Sequence, residues 1–224
     1  MERSRPTRPG LLSLLALVAA VHGGPALAAG ATTAAEVLAA LESWLDQTRD
    51  LQGSFRQSLV SGAFGEGLEE RGRLFVQRPG RMRWDYRDPE RKTAIVDGDL
   101  TWLYIEEEQQ LTLGRLEQHG RLLPALLAGG RPLSELFEPT LLAEPQGAEG
   151  TYRLELRPRS AAEEFERVEV VLRATDFAVH EAEVQDAAGN RMLYRFSDLR
   201  RNKGLPDGLF RFDPPEGTVV VGQH

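Results

Sequence analysis

The residues that could carry catalysis are few and widely spaced in this chain of 224 residues. After the first 28 residues the histidines are His119, His180 and His224, and none lies in a metal-ligand spacing such as H-E-x-x-H. The sequence contains neither the G-x-S-x-G pattern of a nucleophile elbow nor a glycine-rich phosphate loop. We therefore expect a protein that is not an enzyme and that uses no metal ion and no cofactor.

Two groups of acidic residues are the remaining candidates for chemistry. Glu106-Glu107-Glu108 could bind a cation, and Glu163-Glu164 could act as a pair of carboxylates. No further ligand is positioned near either group in the sequence, so solvated turns are the favoured interpretation. A hydrolase of the cell envelope with an unrecognised site stays open as an alternative.

The composition limits the kinds of molecule that the protein is expected to bind. The formal net charge is −7, which argues against binding to nucleic acid and against passive adsorption to anionic lipid. The chain has no cysteine, so it forms no disulfide and no Cys-type zinc site. Without a cysteine to carry lipid, the protein is not expected to be a lipoprotein itself.

Residues 1–28 have the pattern of a cleavable secretory signal peptide. Arg3, Arg5 and Arg8 give a basic start, and an apolar run from Leu11 to Val21 follows. Ala26-Leu27-Ala28 is a small-x-small cleavage site, with the cut expected before Ala29. We expect residues 29–224 to form one exported domain, and an N-terminal membrane anchor is the less favoured alternative.

The stretch from Val76 to Tyr86 is the most informative part of the domain. It reads as two strands joined by an Arg78-Pro79-Gly80 turn. After the turn, Met82, Trp84 and Tyr86 alternate with polar residues, which is the period of a strand with one apolar face. This pattern indicates a sheet that covers an apolar interior.

Similar patterns recur along the rest of the chain. A capping box at Thr33–Glu36 predicts a helix over 34–48, and short helices are predicted over 122–128, before Gly129-Gly130, and over 132–137. Eleven strands are predicted over 51–60, 72–76, 82–86, 93–96, 100–105, 110–113, 151–156, 167–173, 180–185, 191–199 and 209–213. The fold class is therefore mainly β with some α, as one large antiparallel curved sheet or barrel covered by helices.

Four groups of residues, in this order, resemble a known family. They are Leu51-Gln52-Gly53-Ser54-Phe55-Arg56-Gln57 with Gly72 and Leu74; Arg78-Pro79-Gly80 with Arg83, Trp84, Tyr86 and Pro89; Val96-Asp97-Gly98 with Trp102 and Tyr104; and Leu209, Phe210, Phe212, Pro214, Pro215 and Gly217. Together, behind a predicted signal peptide, they resemble the periplasmic lipoprotein carriers of the LolA family. The resemblance implies an eleven-stranded antiparallel half-barrel closed by helices.

The resemblance also implies a function and a set of partners. A member of this family is a monomeric periplasmic chaperone that accepts lipoproteins from an ATP-driven (ABC-type) exporter of the inner membrane. It shields their acyl chains in a hydrophobic cavity and delivers them to an outer-membrane receptor, LolB. A lipoprotein or lipid sensor on the same fold is the alternative function.

Specific residues take roles by the same resemblance. Arg78 falls at the position of a latch arginine that hydrogen-bonds lid carbonyls in the closed form. The implied acyl-chain cavity is lined by Phe55, Met82, Trp84, Trp102 and Tyr104. The implied lid helix contains Pro124, Leu126 and Leu127. From the residues alone, an ordinary core is the favoured interpretation of the aromatic side chains, and pairing with a surface acid is the favoured interpretation of Arg78.

Overall fold

The structure is a computed structural model that describes residues 33–61, 65–116, 124–129, 131–146, 150–160 and 165–222. The predicted signal peptide, residues 1–28, lies outside the described residues, as do Leu122 and Leu123 of the predicted short helix. All described residues belong to one compact unit, Ala31–His224. No helix within the described ranges is both long and apolar enough to cross a membrane.

Helix α1, Ala34–Asp46, begins at the predicted capping box. The Thr33 hydroxyl accepts a hydrogen bond from the Glu36 backbone N–H at 3.2 Å, and the Glu36 carboxylate accepts one from the Thr33 N–H at 3.0 Å. These two bonds satisfy donors that the first helical turn leaves free. The helix buries one apolar stripe, which consists of Val37, Leu38, Leu41, Trp44 and Leu45.

The described strands form one twelve-stranded sheet. Their bounds are β1 Asp50–Ser61, β2 Gly65–Gln77, β3 Arg81–Asp88, β4 Lys92–Asp97, β5 Leu100–Ile105, β6 Gln110–Arg115, β7 Phe137–Ala143, β8 Thr151–Pro158, β9 Phe165–Arg173, β10 Val179–Asp186, β11 Arg191–Arg201 and β12 Val219–Gly222. The order across the sheet is β12-β6-β5-β4-β3-β2-β1-β11-β10-β9-β8-β7. Among these pairs only β12 with β6 is parallel. The predicted open, mainly antiparallel half-barrel is confirmed, with twelve strands where eleven were expected.

The difference in strand count has three causes. The prediction of a strand over 209–213 is wrong, because Asp207–Phe210 forms a 3₁₀ helix that buries Phe210. Strand β7 was missed because it contains Pro139, which removes a ladder donor and is tolerated at the edge of a sheet, where β7 lies. Strand β12 was also missed, and it follows the prolines that were expected to end the last strand.

Two short helical segments join the two halves of the sheet. Pro124–Ala128 forms one π-helical turn, called here the 124–128 segment, and Leu133–Leu136 forms helix α2. The 124–128 segment packs on β2 and β3, whereas α1 packs on β7, β8 and α2. The sheet face that carries Trp84 belongs to the core shared with α1 and the 124–128 segment, and we call it the inner face. The opposite side is the outer face.

Candidate functional site

The register of the sheet decides which side chains lie on the inner face. Side chains of directly paired residues in an antiparallel sheet point to the same side. Trp84 pairs with Leu74 on β2 and with Ala94 on β4, and Met82 pairs with Val76 on β2. These side chains are buried or half-buried against one another and against the helices. They give the inner face a continuous apolar floor.

An aromatic cluster continues this floor. The Phe55 and Trp84 rings meet edge-on with their centroids 4.7 Å apart, and the Phe55 and Tyr86 rings do so at 5.0 Å. Phe55 pairs with Gly72, and a Cβ atom at residue 72 would lie 2.7 Å from Cε1 of Phe55. The Gly72 position therefore makes room for the Phe55 ring. Phe196, the partner of Phe55 on β11, extends the cluster, with its ring 6.3 Å from Trp84.

Trp102 and Tyr104 do not lie in this cluster. Trp102 pairs with Ile95, and Ile95 pairs with Arg83, which points away from its neighbour Trp84. Trp102 and Tyr104 therefore lie on the outer face, where the Tyr104 ring packs against Phe212 at 4.9 Å. The expectation of one cavity lined by all five residues is corrected: Phe55, Met82 and Trp84 share the inner face, and Trp102 and Tyr104 do not.

Arg78 lies in the turn between β2 and β3, beside the 124–128 segment. Its Nη1 donates a hydrogen bond to the carbonyl oxygen of Leu127 at 3.3 Å. Only 16% of its side chain is exposed. Burial lowers the pKa of the guanidinium, and the nearby Asp46 carboxylate opposes that shift. An arginine keeps its proton at any physiological pH, so Arg78 is a permanent donor.

A second contact holds the 124–128 segment, and the sequence analysis did not identify it. The backbone N–H of Gly80 donates to the carbonyl oxygen of Ala128 at 2.6 Å. Gly80 has φ of 79°, a left-handed conformation that glycine adopts at low cost. The Arg78-Pro79-Gly80 turn therefore binds two consecutive carbonyls of the segment, one through a side chain and one through the backbone.

Asp46 is the other residue that sequence reasoning missed. It is the last residue of α1, and its Oδ1 lies 3.7 Å from Nη2 of Arg78. A cavity of about 310 Å³ opens beside this pair, next to α1 and α2. Its lining consists of Glu42, Leu45, Asp46, Arg78, Gly129, Arg131, Pro132 and Leu133. The only signal in the sequence is an acidic residue at the end of a helix, which is too common to be distinctive.

The 124–128 segment covers the apolar floor with its own apolar side chains. Leu126, Leu127 and Ala128 are buried in the same core as Met82 and Trp84. Pro124 begins the segment, as the sequence suggested. A single helical turn is not stable by itself in water, so its position depends on this packing and on the two hydrogen bonds from the turn.

The site combines an apolar floor, an apolar cover and hydrogen bonds that fasten the cover. Within the described part of the chain, no group of three or more His, Cys, Asp or Glu side chains could hold a metal ion. The geometry is suited to enclosing an apolar chain that approaches once the cover has moved.

Comparisons with known proteins identify the family of the chain. Residues 46–213 match the family model described as outer membrane lipoprotein carrier protein LolA. A protein of Alkalilimnicola ehrlichii named outer-membrane lipoprotein carrier protein is 34% identical over 209 residues, which cover 93% of this chain and 92% of that protein. A protein of the same name from Methylococcus capsulatus is 34% identical over 181 residues, or 80% of this chain and 85% of that protein.

Solved structures share the fold at low sequence identity. An uncharacterized conserved protein from Thermus thermophilus superposes with a TM-score of 0.55 at 16% identity, covering 85% of this chain and 99% of that protein. A DUF1329 family protein from Desulfovibrio piger gives a TM-score of 0.50 at 13% identity, covering 80% and 97%. These likenesses concern the fold alone. The family match and the two carriers from Alkalilimnicola and Methylococcus show that this chain belongs to the LolA family of outer membrane lipoprotein carrier proteins.

Proposed function

We propose that this protein is a periplasmic carrier that shields the acyl chains of lipoproteins on the inner face of its sheet. The proposal depends on one structural observation above all. An apolar floor containing Phe55, Met82 and Trp84 lies beneath a single helical turn that two hydrogen bonds from one β-turn fasten in place. The names of the relatives, outer-membrane lipoprotein carrier proteins, support the same cargo.

The free energy of burying an acyl chain determines how apolar the inner face must be. Burying an acyl chain is worth about 0.8 kcal/mol per methylene, so a chain of roughly sixteen carbons resists leaving a membrane by ~10 kcal/mol or more. A carrier therefore needs a surface of comparable apolar character. The buried side chains of the floor and of the 124–128 segment can supply that surface when they separate.

The free energy needed to open the 124–128 segment determines how easily the cargo is released. Opening the 124–128 segment breaks a backbone hydrogen bond worth about 0.5–1.5 kcal/mol and a bond to a charged group worth about 1.5–3 kcal/mol. Exposing the Leu126 and Leu127 side chains adds about 1.5–3 kcal/mol each. The sum is of the same order as the burial of one acyl chain. The closed state therefore lowers the apparent affinity for cargo, which assists unloading.

The partners follow from this balance. Because the closed state opposes loading, an energy source at the inner membrane must drive cargo into the protein, and an ATP-driven exporter is such a source. At the outer membrane a receptor such as LolB takes over the chains while the 124–128 segment closes. The protein works as a monomer in the periplasm, and it acts as a chaperone, without catalysing a reaction.

Release of a triacylated lipoprotein from membranes tests the proposal. Inner-membrane vesicles that contain the lipoprotein and an ABC-type exporter are incubated with the purified protein, with and without ATP. We expect a soluble complex of one lipoprotein with one carrier molecule in the presence of ATP, seen by gel filtration. Adding vesicles that carry LolB should then move the lipoprotein back to a membrane.

A control variant separates the inner face from the outer one. Leu127→Asp places a carboxylate in the buried core and should abolish the soluble complex, whereas Leu100→Asp changes an exposed residue and should not. A lipoprotein that stays in the vesicles at every concentration of the unaltered protein would rule out the carrier function.

A further inference from the structure

A group of polar side chains interrupts the apolar inner face. Glu70 pairs with Gln57 across β1 and β2, and Lys92 pairs with Tyr86 across β3 and β4. By register these four residues lie on the inner face, one alternation beyond Phe55 and Trp84. We call Gln57, Glu70, Tyr86 and Lys92 the polar collar.

The members of the polar collar bind one another across four strands. The Tyr86 hydroxyl donates to Gln57 Oε1 at 2.9 Å, and Gln57 Nε2 donates to Glu70 Oε2 at 3.3 Å. Lys92 forms an ion pair with Glu70, and its Nζ lies 4.6 Å from the centre of the Tyr86 ring. Burial raises the pKa of Tyr86, with Tyr194 and Glu70 adding to the shift, so the hydroxyl remains a proton donor.

The collar stands at the boundary between the buried floor and an exposed rim. Phe55 is buried, Gln57 is half-buried, and Leu59 is 43% exposed along the same side of β1. Leu68, on the neighbouring strand, is 68% exposed. A molecule that lay along this face would therefore meet an apolar floor, then the collar, then a second apolar surface.

The charged pair in the collar contributes little net stability to the sheet. The side chains of Glu70 and Lys92 are only 18% and 20% exposed, and withdrawing both charges from water costs several kcal/mol before their attraction repays it. An apolar pair of similar volume would often be as stable. A stabilising role alone therefore does not account for a charged pair at this place.

The collar also has donors to spare. The Lys92 ammonium carries three N–H groups and the Gln57 amide carries two, and the hydrogen bonds within the collar use one from each. The Glu90 carboxylate lies 3.9 Å from Lys92 Nζ, beyond hydrogen-bond distance. A carbonyl group accepts hydrogen bonds and cannot donate them. An ester carbonyl on an otherwise apolar chain fits both the spare donors and the alternation of apolar and polar surface.

We infer that the polar collar is a subsite for the ester carbonyls that attach acyl chains to the cargo. This inference rests on the proposed carrier function and adds a specific position to it. The hydrocarbon lies on Phe55 and Trp84, and hydrogen bonds from Lys92 and from the Gln57 amide, which the Tyr86 hydroxyl orients, hold the ester linkage. The collar thereby fixes how deeply an acyl chain enters and selects esterified chains over plain hydrocarbon.

Two probes that differ only in the carbonyl test this subsite. One is a fluorescent peptide whose N-terminal cysteine carries an S-glyceryl group with two palmitoyl chains in ester linkage, and the other is its dialkyl ether analogue with the same chain length. The full chain and three variants are titrated with each probe. Lys92→Met removes a donor of the collar, and Tyr86→Phe removes the hydroxyl that orients the Gln57 amide. Arg153→Met removes a cation from an ion pair with Glu169 on the outer face.

We expect the unaltered protein to bind the ester probe more tightly than the ether probe. Lys92→Met should weaken binding of the ester probe by about three- to tenfold, the loss of one hydrogen bond, without changing binding of the ether probe. Tyr86→Phe keeps the ring but releases the Gln57 amide, so it should also weaken binding of the ester probe without changing binding of the ether probe. It serves as the second test if Lys92→Met folds poorly. Arg153→Met should change neither affinity.

Three results would overturn the inference, and they differ from a failure of the carrier function. Equal affinity of the unaltered protein for both probes would overturn it, as would an equal loss for both probes in Tyr86→Phe. An unaffected ester affinity in both collar variants would do the same. If the unaltered protein binds neither probe, the proposed carrier function fails as well.

Discussion

Asp46 and Arg78 join the end of α1 to the turn between β2 and β3, with Oδ1 and Nη2 3.7 Å apart. The same guanidinium donates to the Leu127 carbonyl through Nη1. Arg78 therefore has one partner on α1 and another on the 124–128 segment. In the proposed open state, we expect the Asp46 carboxylate to remain as a partner for the cation.

Arg78→Leu should shift the protein towards its open state. Removing a hydrogen bond from a charged group destabilises the closed state by about 1.5–3 kcal/mol, so the apparent affinity for acylated cargo should rise about ten- to a hundredfold. The variant should fold and load, but pass cargo to acceptor membranes more slowly. Transfer from a purified complex to LolB vesicles measures this rate. Arg73→Leu, on the outer face of β2, is the control, and normal transfer by Arg78→Leu would contradict the latch role.

Asp46→Asn should have a much smaller effect than Arg78→Leu. The Asp46 side chain is 78% exposed, and ion pairs at such positions contribute about 0.2–1 kcal/mol. We expect the transfer rate to change less than about fivefold, and the change to disappear at high salt, where exposed charges are screened. Measuring transfer at several salt concentrations checks this ranking. A loss of transfer as large as that of Arg78→Leu would show that Asp46 is the principal partner.

Trp84 and Trp102 should respond differently to bound lipid, because they lie on opposite faces of the sheet. The chain contains three tryptophans, so each can be replaced by phenylalanine in turn. A brominated acyl chain quenches indole fluorescence by contact. We expect Trp84→Phe to remove most of the quenching and Trp102→Phe to leave it in place. Quenching that depended on Trp102 would mean that the lipid binds the outer face.

Glu155 should make the stability of the protein depend on pH. Burial would raise its pKa, but hydrogen bonds from Arg167 and Arg157, with their charges, outweigh burial and lower it. A lowered carboxyl pKa contributes stability above the unfolded value of about 4.3, and that stability is lost as the pH falls. Glu155→Gln should reduce the free energy of unfolding by about 1–3 kcal/mol at pH 7, and by less below about pH 4.

Urea denaturation at pH 7 and at lower pH measures this difference. Glu183→Gln is a matched control, since Glu183 pairs with Arg191 at the longer distance of 3.5 Å, and the substitution should cost less than about 1 kcal/mol. An equal loss for Glu155→Gln at both pH values would mean that the carboxylate charge is unimportant.

Much of the fold could be read from local patterns. The capping box at Thr33 placed the start of α1, and the alternation of Met82, Trp84 and Tyr86 placed β3. These signals depend on residues that are close together in the chain, so they can be recognised without knowledge of the tertiary structure. The pattern failed at 209–213, where Phe210 and Phe212 alternate as in a strand but pack across the outer face.

The candidate site was predicted less completely, for a different reason. Arg78 and the leucines of the 124–128 segment were named from the sequence, but the contact from the Gly80 backbone and the pairing with Asp46 were not. Such contacts join parts of the chain that are distant in sequence and involve backbone atoms common to every residue. The polar collar was not predicted from the sequence for the same reason, because its four members come from four strands.

The spacing of strands and turns, the amphipathic face of α1 and the turn that carries Arg78 are all evident in the local pattern of residue types. Which aromatic residues share a face depends on how the strands pair. Period-two alternation places side chains on two sides within each strand, but it does not relate the sides of one strand to those of the next. That relation depends on register, and a shift of one residue reverses it. Trp84 and Trp102 therefore looked alike in the sequence and lie on opposite faces of the sheet.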